Sequence, residues 1–465
     1  MTMRRQNVTF FSAGLAVVAM TAVAFVGHPA AQTPPAVQAP AAPVDPAKAA
    51  IEVVDALAAG EYAKVTARFD APMKAAITED RLKATWTGLV GQFGPLKSHS
   101  SARVQPNGTR QVATVSCAFE RATLEAVLVF NPTGEIGGFS MRPPATPYAP
   151  PPYATMTSLT EEDATVGSGE WALPGTLTLP TGTGPFPAVV LVHGSGPNDR
   201  DETIGPNKPF RDLALGLASR GIAVLRYEKR TKQYPSKLSS IPAFTVKEET
   251  VDDAVAAVDS LRKHPKIDAR RIVVIGHSLG GMLIPRIAAA DPRIAGFVVM
   301  AGAVRSLEQA ILEQTRYVAS LDGTITPQEQ QQIDGATALV TRVKALTPDD
   351  AKTSQMISGA PASYWLDLRG YDPPVAARSV ERSMLVLQGE RDYQVTMEEF
   401  ARWKAALPAT GGAPGRTFKS YPALNHLFMP GTGPASPADY ATANHVAPEV
   451  VQDIAAFVLA LRPAS

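Results

Sequence analysis

Residues 271–290 read Arg271-Ile-Val-Val-Ile-Gly276-His277-Ser278-Leu279-Gly280-Gly-Met-Leu-Ile-Pro-Arg-Ile-Ala-Ala-Ala290, and this stretch decides how the rest of the chain is read. The run from Ile272 to Ile275 is apolar without alternation, as a strand covered on both faces requires. From Gly280 onward the residues suit an apolar helix. Between the two stands Gly-x-Ser-x-Gly, in which a glycine on either side of Ser278 permits the strained strand-to-helix turn that lifts a serine hydroxyl clear of the sheet. Average residue usage produces that string by accident about 0.1 times in a chain this long. The strand before it and the helix after it therefore carry the inference, and they make Ser278 the candidate nucleophile.

A serine hydroxyl attacks poorly at neutral pH unless a base accepts its proton and a third group holds that base in the correct tautomer. For a serine mounted on such an elbow the partners follow in the order serine, acid, histidine. Downstream, the apolar run Met384–Gln388 leads into Gly389-Glu-Arg-Asp392, and the run Thr417–Tyr421 leads toward Asn425-His426. Both sit in loops after strands, where open α/β sheets gather their functional groups. Asp392 is the candidate acid, with Glu390 as its rival two residues away. Among seven histidines, His426 is the candidate base. His28 lies in the N-terminal leader, His99 in a separate small unit, and His264 at a helix end. His277 adjoins the serine but is expected to point elsewhere, and His445, before the final helix Val450–Leu461, is the one serious rival. Two backbone amides are expected to face the oxyanion: that of Leu279, and that of Ser195 in His193-Gly194-Ser195-Gly196, which follows the strand Val189–Val192.

Outward from this centre the pattern alternates strands with helices. Strand candidates are Ala188–Val192, Ala223–Arg226, Ile272–Ile275, Gly296–Met300, Met384–Gln388 and Thr417–Tyr421, with helices at Phe210–Arg220, Val246–Lys263 and Gly280–Ala290. A mostly parallel sheet with helices on both faces is expected, an α/β class of fold. From Val304 to about Ser379 no strand is expected, and the stretch reads as an inserted helical cap. Tyr364 and Trp365 in that cap suit either a substrate pocket or packing of cap on core. Asp199, Arg200 and Asp201, with Arg226, Lys229 and Arg230, suit a salt-linked scaffold that braces the loop at Ser195, or direct substrate contact.

The region before this unit is organised differently. Residues 47–96 carry helical spacing (Val53, Leu57, Val65, Phe69, Met73), and residues 98–141 alternate, as in Val115, Cys117 and Phe119, with turns at 106–108 and 131–134. Residues 47–142 thus form a small α+β domain, and the proline-rich stretch 143–153 reads as a stiff linker to the α/β domain at 154–465. Cys117 is the only cysteine, which excludes an intramolecular disulfide and a cysteine-based metal cluster. No metal or organic cofactor is expected.

Residues 1–31 open with Arg4 and Arg5, run apolar from Val8 to Val26 and break at Gly27 and Pro29, as a secretory signal peptide does. A retained membrane anchor is the competing reading. Residues 32–46 then read as a disordered tether. With 44 basic and 43 acidic residues, the chain has no electrostatic bias toward nucleic acid or an anionic bilayer, and a small neutral substrate suits it better.

Residues from about 154 to 462 resemble the bacterial α/β-hydrolases grouped with dienelactone hydrolases, bile-acid-CoA-thioesterase-like enzymes and serine aminopeptidases. The strings that carry the resemblance are His193-Gly-Ser-Gly-Pro-Asn-Asp-Arg-Asp201, Leu225-Arg-Tyr-Glu-Lys-Arg230, Gly276-His-Ser-Leu-Gly-Gly281, Tyr364-Trp-Leu-Asp-Leu368 and Leu424-Asn-His-Leu-Phe428. The resemblance implies the same triad and oxyanion positions and a helical cap. One departure stands out: many relatives read Arg-Tyr-Asp-Lys-Arg-Gly, whereas this chain has Glu228 and continues Thr231-Lys232-Gln233, which weakens any family-level inference about substrate. The small domain resembles a domain of unknown function, of nuclear-transport-factor-2-like or cystatin-like shape, that precedes some of these hydrolases. The expectation is an exported serine hydrolase that cleaves carboxylic esters. A serine peptidase with the same triad and a non-catalytic binding protein are the alternatives.

Overall fold

The computed structural model describes residues 44–462 apart from 108, 143, 145–146, 242, 354 and 408–414. The expected signal segment and nearly all of the expected tether lie outside the described residues. The chain divides into two compact units between residues 146 and 147.

In the first unit, helices Pro46–Ala58 and Glu79–Phe93, with two shorter helices between them, precede strands Leu96–His99, Arg103–Asn107, Arg110–Phe119, Thr123–Phe130 and Ile136–Arg142. The five strands pair antiparallel. Ala113, Val115, Cys117 and Phe119 face inward at every second position and meet Val53, Val54 and Leu57 of the first helix in one core. Burial raises the Cys117 thiol to about 11, so it stays protonated and packs as a small hydrophobe.

The second unit is built on eight strands: β1 (Leu159–Val166), β2 (Leu173–Pro180), β3 (Phe186–Val192), β4 (Ala223–Tyr227), β5 (Ile267–His277), β6 (Gly296–Met300), β7 (Ser383–Gly389) and β8 (Arg416–Tyr421), ordered β8-β7-β6-β5-β3-β4-β2-β1. The six strands β3 to β8 run parallel, and β1 and β2 join antiparallel at one edge. The apolar runs are continuous because both faces are covered. Val190, Val192, Ile272 and Val274 enter the core on one side of the sheet, while Val189, Leu191, Val273 and Ile275 enter the core on the other. Helices α1 (Pro209–Ala218), α2 (Asp252–Arg262), α3 (Leu279–Ala290), α7 (Met397–Ala406) and α8 (Pro448–Ala460) complete the framework.

Between β6 and β7 the insertion carries α4 (Leu307–Ala319), α5 (Pro327–Ala345) and α6 (Ala362–Leu368). It is not strand-free: Met356–Ile357 pairs antiparallel with Ala360–Pro361 across Ser358 and Gly359, both at positive φ. Two residues per strand are too few for alternation to show in the sequence. Tyr364 and Leu368 of α6 pack with Leu279, Met282 and Leu283 at the start of α3, so the cap rests against the helix that follows the elbow.

Candidate active site

Ser278 stands between β5 and α3 at φ 53° and ψ −113°, in a region that L residues seldom occupy. The flanking glycines explain how the turn is tolerated. A Cβ on Gly276 would lie 2.3 Å from the Gly280 carbonyl oxygen, and one on Gly280 would lie 2.3 Å from the Val192 oxygen at the end of β3. Only hydrogen fits at either place. The Ser278 N–H donates to Met300 O at 2.9 Å, which ties the elbow to the neighbouring strand β6. Its Oγ has no hydrogen-bond partner among the described residues, leaving the hydroxyl free to meet another group.

Asp392 and His426 are both buried and meet directly, with His426 Nδ1 2.6 Å from Asp392 Oδ2. The carboxylate is fixed on every side. Its Oδ1 accepts from the Gln394 and Val395 amides at 2.8 and 3.0 Å, and its Oδ2 accepts from Gln388 Nε2 at 3.2 Å. The histidine loop is held by Asn425, whose Oδ1 accepts from the Leu427 and Met429 amides. The rivals are engaged elsewhere: Glu390 is exposed and accepts from Ser420 Oγ, and His445, ahead of α8, pairs with Asp212 of α1. The structure therefore brings Asp392 together with His426 and places neither alternative there. A Ser278–His426 hydrogen bond is not formed, a looseness common in unliganded sites.

The loop after β3 approaches the elbow closely, since a Cβ on Gly194 would lie 3.2 Å from Ser278 Cβ. The Gly194 N–H is taken by Glu202 Oε1 at 2.6 Å, whereas the N–H groups of Ser195 and Leu279 donate to no acceptor among the described residues. Asn198 Nδ2 ties the carbonyls of Gly194, Ser195 and Gly196.

Two residues outside the sequence-based candidate set join this centre. His277 Nδ1 lies 2.9 Å from Glu202 Oε2, and its Nε2 lies 3.0 Å from His426 O. Acceptors therefore face both ring nitrogens. Burial disfavours the imidazolium, but the Glu202 carboxylate beside Nδ1 and the His426 carbonyl at Nε2 outweigh it and raise the His277 pKa. Burial likewise works against the Glu202 carboxylate, and His277 with the Gly194 amide outweighs it and holds that group below its ordinary range. The result is a buried ion pair that links the Gly194 loop to the backbone of His426. Nothing in sequence spacing pairs residues 202 and 277. The one available signal was that His277 occupies the variable position beside the serine.

The charged residues near this loop are bound within the protein. Arg226 joins Asp201 and Glu161, Lys208 lies 3.0 Å from Asp201, and Arg230 pairs with Asp253. Glu228, where the sequence departs from its relatives, accepts from Arg200 Nε at 2.7 Å. These contacts answer to the salt-linked scaffold. Tyr364 and Trp365 are buried, and Trp365 Nε1 donates to Ile357 O within the cap. On another side, Tyr317 of α4 stacks on Tyr393, next to Asp392, with ring centroids 5.0 Å apart.

Residues 210–446 match the prolyl oligopeptidase family, and residues 50–139 match a family described as protein of unknown function (DUF3887). The chain is 36% identical over 391 residues to esterase EstD of Thermotoga maritima, an alignment that covers 83% of this chain and 89% of that one. Solved structures with a similar course include 2,6-dihydroxy-pseudo-oxynicotine hydrolase, at a TM-score of 0.41 and 16% identity over 64% of this chain and 66% of that one. Est1E from Butyrivibrio proteoclasticus matches at 0.40 and 16%, over 64% and 99%. Likenesses this loose bear on neither site nor substrate.

Proposed function

We propose, on the premise that this chain belongs to the prolyl oligopeptidase family of α/β-hydrolases, that it is a carboxylesterase working through Ser278, His426 and Asp392. The observation that carries the reading is the buried 2.6 Å contact between His426 and Asp392, on the sheet that carries Ser278 at its strained elbow.

In this mechanism Ser278 Oγ attacks the ester carbonyl carbon as its proton passes to His426 Nε2, and Asp392 stabilises the imidazolium through Nδ1. The carbonyl oxygen becomes an oxyanion facing the N–H groups of Ser195 and Leu279, which make no other hydrogen bond among the described residues. When the tetrahedral centre collapses, the alkoxide leaves with the proton from His426. Water then attacks the acyl-enzyme, again giving its proton to His426, and the acid is released as that proton returns to Ser278. Small-molecule esters are the substrate class.

Peptide cleavage is the second reading, because the family matched over residues 210–446 is described by oligopeptidase activity. Turnover of p-nitrophenyl esters of increasing acyl length, beside aminoacyl p-nitroanilides, separates the two. Ester cleavage at least about a hundredfold faster than amide cleavage is expected, a difference of about 3 kcal/mol in barrier. Comparable amide rates would transfer the assignment to a peptidase.

Export follows from Arg4, Arg5 and the apolar run that ends before Ala31. Among the described residues no helix is long and apolar enough to cross a membrane. Protein recovered from outside the cytoplasm is expected to begin close after Ala31 when its N-terminus is sequenced. An intact leader in the membrane fraction would replace export by anchoring.

A further inference from the structure

The peptide between Gly194 and Ser195 has one face bound and one face free. Its carbonyl accepts from Lys229 Nζ at 2.7 Å and from Asn198 Nδ2 at 3.2 Å, while its N–H, that of Ser195, is unoccupied among the described residues. The bond is trans, since the cis peptide found in the described chain is Gly184–Pro185, so this C=O and N–H point in opposite directions across one rigid plane. Whatever fixes the carbonyl also aims the amide hydrogen. An ammonium on the oxygen further polarises the group and makes the N–H a stronger donor.

Lys229 is itself held from behind. It is almost fully buried, with its Nζ 3.4 Å from Glu249 Oε1, and the other oxygen of Glu249 accepts from the Tyr364 hydroxyl at 2.8 Å. Lys229 follows β4, Glu249 lies in the turn of helix that leads into α2, and Tyr364 lies on α6 of the cap. Burial first, then the Glu249 charge, raises the Tyr364 pKa well above its ordinary value, so the phenol keeps its proton and remains a donor. The next residue back, Ser363, donates to Phe244 O at 2.9 Å and fixes the same end of α6.

We propose that Lys229, Glu249 and Tyr364 form a buried relay through which the seating of the cap sets the direction and strength of the Ser195 N–H in the oxyanion hole. The relay rests on the oxyanion assignment given under Proposed function. Lys229 is its positioning residue, and Tyr364 is the member that the cap supplies. A cap lifted from the core withdraws a hydrogen bond from Glu249, which loosens Lys229 and lets the Gly194–Ser195 peptide turn.

The test is a kinetic comparison of wild type, Lys229→Met, Tyr364→Phe and the double variant on a p-nitrophenyl ester, together with inhibition by an aryl trifluoromethyl ketone, whose serine adduct places an oxyanion in the same hole. Loss of a single oxyanion donor costs about a hundredfold to a thousandfold in turnover. Lys229→Met, which misaims such a donor, is expected to lower kcat about ten- to a hundredfold with KM within about threefold. Tyr364→Phe is expected to lower kcat about three- to tenfold, the ketone affinity falling in parallel, and the double variant to fall little below Lys229→Met alone. Lys229→Met leaves Glu249 without its cation and risks the fold. If it does not fold, Tyr364→Phe decides, because that variant keeps the ion pair. Unchanged kcat and ketone affinity in Tyr364→Phe overturn the relay, as does additivity of the two substitutions. If wild-type turnover does not depend on Ser278, it is the triad reading that falls, and the two failures are thereby distinguished.

Discussion

Replacing Ser278 with alanine is expected to lower ester turnover by more than about a thousandfold and to leave the thermal midpoint nearly unchanged. The two halves of this expectation have separate causes. The Oγ makes no hydrogen bond among the described residues, so its removal strands no buried partner. The turn is set by Gly276 and Gly280 and by the Ser278 N–H bond to Met300 O, all of which alanine preserves. What is lost is the atom that forms the acyl-enzyme. Rates of p-nitrophenyl ester hydrolysis and a melting curve on the same preparation check both halves. Retention of the wild-type rate would remove Ser278 from the mechanism.

Asp392→Asn is expected to cost about a thousandfold to ten-thousandfold in kcat, by a different route. The amide oxygen can replace Oδ1 and go on accepting from the Gln394 and Val395 amides. Its NH2 group then occupies the position of Oδ2 and faces His426 Nδ1 and Gln388 Nε2. A donor opposite Nδ1 selects the tautomer that carries its proton on Nε2, and that nitrogen can no longer accept from serine. Glu390→Gln is the matched comparison, since Glu390 is exposed and its carboxylate accepts only from Ser420 Oγ among the described residues. It is expected to keep kcat within about threefold, as a surface substitution does. Steady-state kinetics on the two variants checks the contrast, and equal losses would mean that the acid has been misassigned.

The parallel core of the sheet is legible because burial on both faces fills the middle of its central strands with apolar side chains. Thus 272–275, 296–300 and the start of 384–388, before Gln388, stand out as apolar runs, and each lies within its observed strand. The edge pair does not announce itself. β1 reads Leu-Thr-Glu-Glu-Asp-Ala-Thr-Val with its middle largely exposed, and β2 is interrupted by Pro174 and Gly175, which leaves only the short alternation Thr176-Leu177-Thr178-Leu179 to mark it. β1 nevertheless supplies Glu161 to the buried Arg226. The helix expected over 246–263 begins with a π-helical turn at Lys247–Val251, a departure that periodicity does not resolve, and this turn carries Glu249.

The site divides in the same way. Ser278, Asp392 and His426 were legible because each follows a readable strand and the chemistry demands their residue types. The residues that hold them were not. Glu202 meets His277 across 75 positions and sits at positive φ, where glycine is the usual expectation, and Lys229 reaches the Gly194 carbonyl across 35 positions. Such contacts are made by the folded backbone and leave no periodicity or motif behind. Lys229 was visible as a charge near the oxyanion loop, but its bond to the very peptide that carries the Ser195 N–H is a matter of geometry alone.

The central claim is that one serine, Ser278, carries the chemistry, and mapping a fluorophosphonate adduct by mass spectrometry tests it most directly. The account predicts a single adduct on the peptide containing Ser278, slowed by an ester substrate and absent from the alanine variant. No adduct, or an adduct on another serine while ester turnover persists in Ser278→Ala, would contradict it.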